Sequence, residues 1–258
     1  MPEIERTLRV CALYPDLMNI YADRGNLIML ERRCQWRGIG FALSSAGLGE
    51  PLDPDGADLY YIGGGQDRDQ RLCAHDLAER KRDDVHAAAA RGAVILAVCG
   101  GYQLLGRSYE LGAETLPGVG LVDLHTVRSD DARLIGNVAI EVNLEGGPPT
   151  PNPPAPNAPG RRRVLAGFEN HGGRTFLGDA EPLGRVLKGH GNNGTDPHEG
   201  VRAGNVIGTY LHGPLLPKNA WFADWLIETA LGLQEPLSAL DDDLEEAAHA
   251  EARRAAGL

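Results

Sequence analysis

Apolar residues fall along the first half of the chain in short runs separated by longer polar stretches. Thr7 to Leu13 reads as a strand, and Asp23 to Trp36 carries Leu27, Leu30 and Cys34 at helical spacing. Leu59-Tyr60-Tyr61-Ile62 is a brief apolar run that stops at Gly63-Gly64-Gly65. A polar segment from about Asp69 to Ala90 predicts a helix, and it leads into the strand of Ala93 to Val98. Strands alternating with helices in this way predict parallel β/α units, with helices on both faces of one sheet. Such sheets bind ligands at the carboxyl ends of their strands. The glycine triplet and the residue after Val98 would share that edge.

After Gly118 the pattern turns β-rich: Val119 to Val127, Gly136 to Val142, Arg163 to Phe168, Leu183 to Lys188, and Val206 to Leu211. Gly146 to Gly160, crowded with Pro, Asn and Ala, predicts a flexible surface loop without chemistry of its own. Trp221, Phe222, Trp225, Leu226 and Ala230 form one face of an amphipathic helix. The organisation predicted is an α/β domain over residues 5–232 and a helical tail over 236–258. That tail could be a docked terminal helix, a partner contact or a frayed end.

Composition narrows the function classes. The 258-residue chain carries a formal net charge of −11, which argues against nonspecific nucleic-acid binding. The start is charged, without the apolar core of a signal peptide, and no run reaches the roughly 18 apolar residues of a membrane span. Cys11, Cys34, Cys73 and Cys99 show no C-x-x-C spacing and read as reduced thiols of a cytoplasmic protein. The histidines lack H-x-x-x-H and H-E-x-x-H spacing, so no metal site is expected.

One candidate for chemistry is Cys99, where an apolar run stops and Gly100-Gly101 opens a helix-like segment. This reads as a strand-to-helix elbow, although a small buried core cysteine is the usual fate of a free thiol. At an elbow, the unpaired N–H groups of the new helix would lower the thiol's pKa and sharpen the nucleophile. A thiol nucleophile needs a base. His212 is the best candidate, since it ends the strand-like run Ile207 to Leu211; His171, in Gly167 to Arg174, is the competitor. An oxyanion needs backbone donors. Gly100 is the natural first donor, and Gly64 or Gly65 the second. The triplet lacks the pattern of a nucleotide-binding loop.

These residues together resemble a known family. Cys99 to Gly106 is similar to the nucleophile segment of class I glutamine amidotransferases, in the branch of the cobyric acid synthases. Leu13 to Asn19, Gly63 to Asp67, Gly167 to Thr175, Gly191 to Asn193 and Gly208 to Pro214 resemble the glutaminase subunits of lipid II isoglutaminyl synthase. The resemblance covers about Arg9 to Trp225. It implies a three-layer, flavodoxin-like α/β fold and hydrolysis of L-glutamine to glutamate and ammonia. Cys99 would be the nucleophile, His212 its general base, and Arg133 the residue holding the substrate; a guanidinium suits an α-carboxylate. The partner implied is a MurT-like Mur ligase subunit that amidates the D-glutamate of lipid II at the inner membrane face. ATP and metal would belong to that partner, leaving no cofactor in this chain. Two departures stand out. Ala97 replaces a glycine common in the class, and His212-Gly213-Pro214 lacks the Glu of His-Pro-Glu. A carboxylate from the partner, or a more distant one here, is expected to complete the triad. The alternatives are a glutaminase of cobyric-acid-type cofactor amidation and a non-catalytic interaction module of the same fold.

Overall fold

The computed structural model describes residues 6–20, 23–144 and 162–258. The Pro-rich stretch 146–160 and the domain start at residue 5 lie outside the described residues.

In chain order the first half comprises β1 (Thr7–Leu13), α1 (Arg24–Gln35), β2 (Gly40–Ala46), β3 (Leu59–Ile62), α2 (Asp67–Arg80), α3 (Arg82–Ala90), β4 (Val94–Val98) and α4 (Gly100–Leu104). There follow β5 (Ser108–Leu111), β6 (Glu114–Pro117), β7 (Leu124–Arg128), β8 (Leu134–Asn143), β9 (Arg162–His171) and β10 (Gly173–Leu177). The chain ends with β11 (Gly184–Lys188), β12 (His198–Glu199), β13 (Val201–Ala203), β14 (Val206–Thr209), α5 (Ala220–Ala230) and α6 (Asp243–Ala255).

The main sheet has the order β13-β14-β4-β3-β1-β2. Its strands are parallel except for β13, which pairs antiparallel on the edge. Leaving out β13, this is the flavodoxin-like order 2-1-3-4-5. The connection from β1 to β2 and that from β3 to β4 run towards opposite edges. Right-handed crossovers therefore place α1 on one face and α2 with α3 on the other. The order reverses between β1 and β3, next to the strand that carries Cys99. Both β3 and β4 are buried along their whole length, which explains their unbroken apolar sequences.

The β-rich second half forms two further sheets, β10-β7-β5-β6 and β12-β11-β8-β9. Phe168 of β9 exchanges backbone hydrogen bonds with His212 (N–H to O, 3.1 and 2.9 Å), so the third sheet grips the carboxyl edge of the first.

The structure departs from the sequence pattern in two places. The single helix expected over Asp69 to Ala90 is two helices, broken at Lys81. The Lys81 ammonium is buried against Asp76 and lies 5.0 Å from the Tyr14 ring centroid. Its polar spelling thus conceals a core position. The β-rich region also starts before Gly118, because β5 and β6 precede it. The tail is docked: Asn137 Nδ2 donates to Ala255 O (3.0 Å), and buried Arg33 of α1 pairs with Asp224 of α5 and Asp242 at the start of α6.

Candidate active site

Cys99 follows β4 with φ +50° and ψ −105°. Among the described residues, only Tyr14 is another non-glycine residue with positive φ. A side chain held there costs about 1–3 kcal/mol, so the surroundings must impose it. They do. Cys99 N–H donates to Thr209 O of β14 (2.8 Å), and Gly101 N–H donates to Gly63 O after β3 (3.0 Å). The two glycines after the cysteine are required by close approach: a Cβ on Gly100 would sit 2.9 Å from Gly65 N, and one on Gly101 2.6 Å from Ile62 O.

Cys99 opens into a cavity of 340 Å³ whose lining includes Gly65, Asp67, Arg128, Arg133 and His171. Burial pushes its thiol up to about 12; Asp23 and Asp67 add to this, while Gly100 N–H and Arg133 oppose it. The expectation of a thiol acidified by the following helix therefore fails. Helix α4 is only five residues long, and its end does not offset the loss of water around the sulfur.

Arg133 lies on the approach to β8. Its Nε donates to Asn170 Oδ1 (2.8 Å) and its Nη2 to Asn170 O (2.7 Å), which fixes the fork beside the cavity. Arg128 is the second guanidinium there and is paired with Asp67. Both converge on Gly172, where a Cβ would lie 3.1 Å from Arg128 Nε and 3.5 Å from Arg133 Nη1.

The two candidate imidazoles are placed differently. His212 is fully buried beyond β14, on the same sheet edge as Cys99, and is not among the residues lining the cavity. Burial drives its pKa down to about 4, and neighbouring His171, Lys218 and Arg133 act in the same direction. His171 does line the cavity, stacked on Tyr210 with ring centroids 3.6 Å apart. Its Nδ1 faces Gly173 O at 2.8 Å and must carry the proton; Nε2 makes no hydrogen bond and lies 3.8 Å from Glu169 Oε2. A carboxylate thus stands beside His171.

Of the three glycines expected as oxyanion donors, Gly64 is already committed. Its N–H donates to Asp23 Oδ2 at 2.8 Å, so it cannot also serve an oxyanion. Gly65 and Gly100 remain. Sequence reasoning missed Asp23 because an acid just before a helix reads as a simple N-cap. It also missed the buried chain Gln70–Gln103–Tyr210–Thr175, which has hydrogen bonds of 2.6, 3.1 and 2.6 Å. Buried Glu199 steadies the approach to His212 by accepting Tyr210 N–H (2.6 Å) and the Thr209 hydroxyl. Among the described residues no cluster of three or more His, Cys, Asp or Glu could hold a metal ion, and no helix is long and apolar enough to cross a membrane.

The sheet order, the cysteine elbow at its carboxyl edge and the glycine turn facing it define a protein of the glutamine amidotransferase class. Within that class the chain belongs to the CobB/CobQ-like glutamine amidotransferase family, whose domain model matches residues 9–220. It is 39% identical over 216 residues to the lipid II isoglutaminyl synthase (glutamine-hydrolyzing) subunit GatD of Staphylococcus aureus N315, covering 83% of this chain and 81% of that one. Identity to the subunit GatD of Streptococcus pneumoniae R6 is 37% over 226 residues, covering 87% of this chain and 80% of that one. A probable cobyric acid synthase of Methanopyrus kandleri is 39% identical over 179 residues, which span 64% of this chain but only 32% of that protein. The structure of PurLQS from Thermotoga maritima shares the fold, with a TM-score of 0.56 and 23% identity over 88% of this chain and 96% of that one.

Proposed function

We propose that this chain is the glutaminase subunit of a lipid II isoglutaminyl synthase. The reading rests on one juxtaposition: a strained cysteine elbow opening into a cavity shared with Gly65 and Arg133. The chain's likeness to the two GatD subunits supplies the acceptor.

L-Glutamine enters with its α-carboxylate against the Arg133 guanidinium and its carboxamide over Cys99. With the thiol near 12 and His212 near 4, both groups are neutral at pH 7, so the proton moves only as the S–C bond forms. Cys99 Sγ attacks the carboxamide carbon and its proton passes to His212. The oxyanion is received by the N–H groups of Gly65 and Gly100. His212 returns the proton to the amide nitrogen, the C–N bond breaks and ammonia departs, leaving a γ-glutamyl thioester. Water then gives a proton to His212 and attacks the thioester; glutamate leaves and the thiol is restored.

Ammonia would be lost by protonation in bulk water. It passes instead to a MurT-like ligase partner, which activates the α-carboxylate of D-glutamate in lipid II with ATP and metal of its own. A carboxylate from that partner orients His212, and the complex works in the cytoplasm at the inner membrane face. The test is glutamine-dependent amidation of lipid II by the chain co-purified with its ligase. Cys99→Ser is expected to abolish amidation from glutamine while ammonium salts still support it. Unchanged use of glutamine by Cys99→Ser would sink the reading.

A further inference from the structure

Asp23 is fully buried at the N-terminus of α1, yet its side chain makes no cap to that helix. An Asp at this position ordinarily accepts from the first-turn N–H groups. Here Asn19 Oδ1 takes over that duty by accepting Arg24 N–H at 2.9 Å. The freed carboxyl turns to the glycine loop, where Oδ2 accepts Gly64 N–H at 2.8 Å. Its Oδ1 is buried without any hydrogen bond. An orphaned carboxyl oxygen costs stability, so the arrangement calls for a reason beyond packing.

The backbone around it supplies one. Gly101 N–H of the elbow donates to Gly63 O, and across the same peptide plane Gly64 N–H donates to Asp23. Asp23 N–H donates to Ile20 O (3.1 Å), and Ile20 N–H donates to Gly64 O (3.2 Å). Gly64 O and Gly65 N–H belong to one planar trans peptide and point in opposite directions. Drawing Gly64 O towards Ile20 therefore aims Gly65 N–H the other way, away from Ile20, and Gly65 N itself lies beside the elbow, 2.9 Å from where a Cβ on Gly100 would sit. The circuit ties the nucleophile elbow to the oxyanion loop, and Asp23 supplies its one side-chain link.

We propose that Asp23 is a positioning residue of the oxyanion site: by holding Gly64 N–H through its side chain, and Ile20 against Gly64 O through its backbone, it fixes the two successive peptides that present Gly65 N–H to the developing oxyanion. This deepens the glutaminase reading and rests on it. Asp23 touches no substrate and acts through the loop. Its carboxyl is raised to about 7 by burial, against the pull of Gly64 N–H, and Tyr61 and Cys99 are the titratable groups that face it.

The probe is 5-oxopentanoate, which keeps a carboxylate for Arg133 but lacks the α-amine that would close onto the aldehyde; its carbonyl carbon is attacked by the Cys99 thiol to give a hemithioacetal. The carbonyl oxygen then takes up the sulfur's proton or stays an oxyanion, in either case within the proposed donor site. Affinity is read by calorimetry on the full chain, and iodoacetamide alkylation of Cys99 serves as a readout that needs no oxyanion donor. Asp23→Ala is expected to weaken aldehyde binding about 100-fold, the scale of losing one oxyanion donor, while alkylation does not fall, since losing the Asp23 charge removes one cause of the raised Cys99 thiol. Asp23→Asn keeps an oxygen for Gly64 N–H and should restore binding to within about fivefold of wild type. Should the alanine variant fail to fold, Asp23→Glu displaces the acceptor by one methylene and should lose about tenfold. Aldehyde binding by Asp23→Ala or Asp23→Glu that matches wild type overturns the inference. So does an asparagine variant as weak as alanine. Failure of the wild-type chain to bind the aldehyde would instead overturn the glutaminase reading.

Discussion

At the scale of single residues, the site stores its reactivity in groups held away from their solution behaviour. A thiol pushed up to about 12 is protonated at neutral pH, and its thiolate fraction rises about tenfold per pH unit below that value. Alkylation of Cys99 by iodoacetamide, followed by mass spectrometry, should climb on that slope from pH 7 to 10. A plateau reached by pH 8 would show that the thiol is acidic after all. The two imidazoles separate by a kinetic split. His212→Ala removes the proposed proton carrier and should lower turnover by about 10³-fold with little change in KM. His171→Gln alters the cavity wall and should raise KM by about fivefold with turnover nearly kept. The opposite pattern would move the base to His171, where Glu169 already stands as its acid. Cys99, His212 and Arg133 could be picked from the sequence because strand ends and a family motif mark them. Asp23 could not, since its role depends on Asn19 having displaced it from the helix cap.

At the scale of elements, the elbow works because α4 is pressed onto the end of β3. Gly101→Ala would put a methyl 2.6 Å from Ile62 O, a backbone atom that cannot swing aside. It would also strain the 3.0 Å bond from Gly101 N–H to Gly63 O. The expected cost is about 2 kcal/mol or more, in the range of overpacked cores. Gly136→Ala in β8 meets nothing within 4 Å and should be neutral or slightly stabilising, which makes it the control. Urea midpoints of the two variants check this; equal midpoints would mean the elbow yields more easily than its contacts imply. The same elements show what the sequence pattern could carry. The strands of the parallel sheet that are buried on both faces, β3 and β4, announce themselves as apolar runs. Strand β2 does not: Ala42 to Ser45 are exposed on the sheet edge, so its residues carry no hydrophobic signature. The short strands β5, β6, β12 and β13 are likewise held by their neighbours in the sheet, not by their own pattern.

At the scale of the whole molecule, buried acids shape the response to pH. Burial raises Asp23 to about 7, Glu199 to about 8 and Glu228 to about 7, and all three are fully buried. An acid whose folded pKa is raised contributes stability that is complete below its unfolded value near 4 and is lost as pH climbs through the folded value. These three therefore weaken the fold progressively from about pH 4 to pH 8. His212 works in the other direction: with a folded value near 4, its contribution is complete above about 6.5 and is lost as pH falls. Three groups oppose one, and above pH 6.5 the histidine no longer compensates. The net charge of −11 adds self-repulsion on the same alkaline side. The chain should therefore unfold at a higher temperature at pH 6 than at pH 8, by several degrees, since each kcal/mol is worth about 2–4 °C in a chain of this size. Scanning calorimetry at the two pH values checks the sign. Replacing Glu228 by Gln isolates one contribution, because Glu228 Oε1 accepts Leu237 N–H at 2.9 Å while Oε2 makes no hydrogen bond. An amide keeps the acceptor and cannot ionise, so the pH 6 to pH 8 difference should shrink. An undiminished difference would place the alkaline weakness in Asp23 and Glu199, at the active-site edge itself.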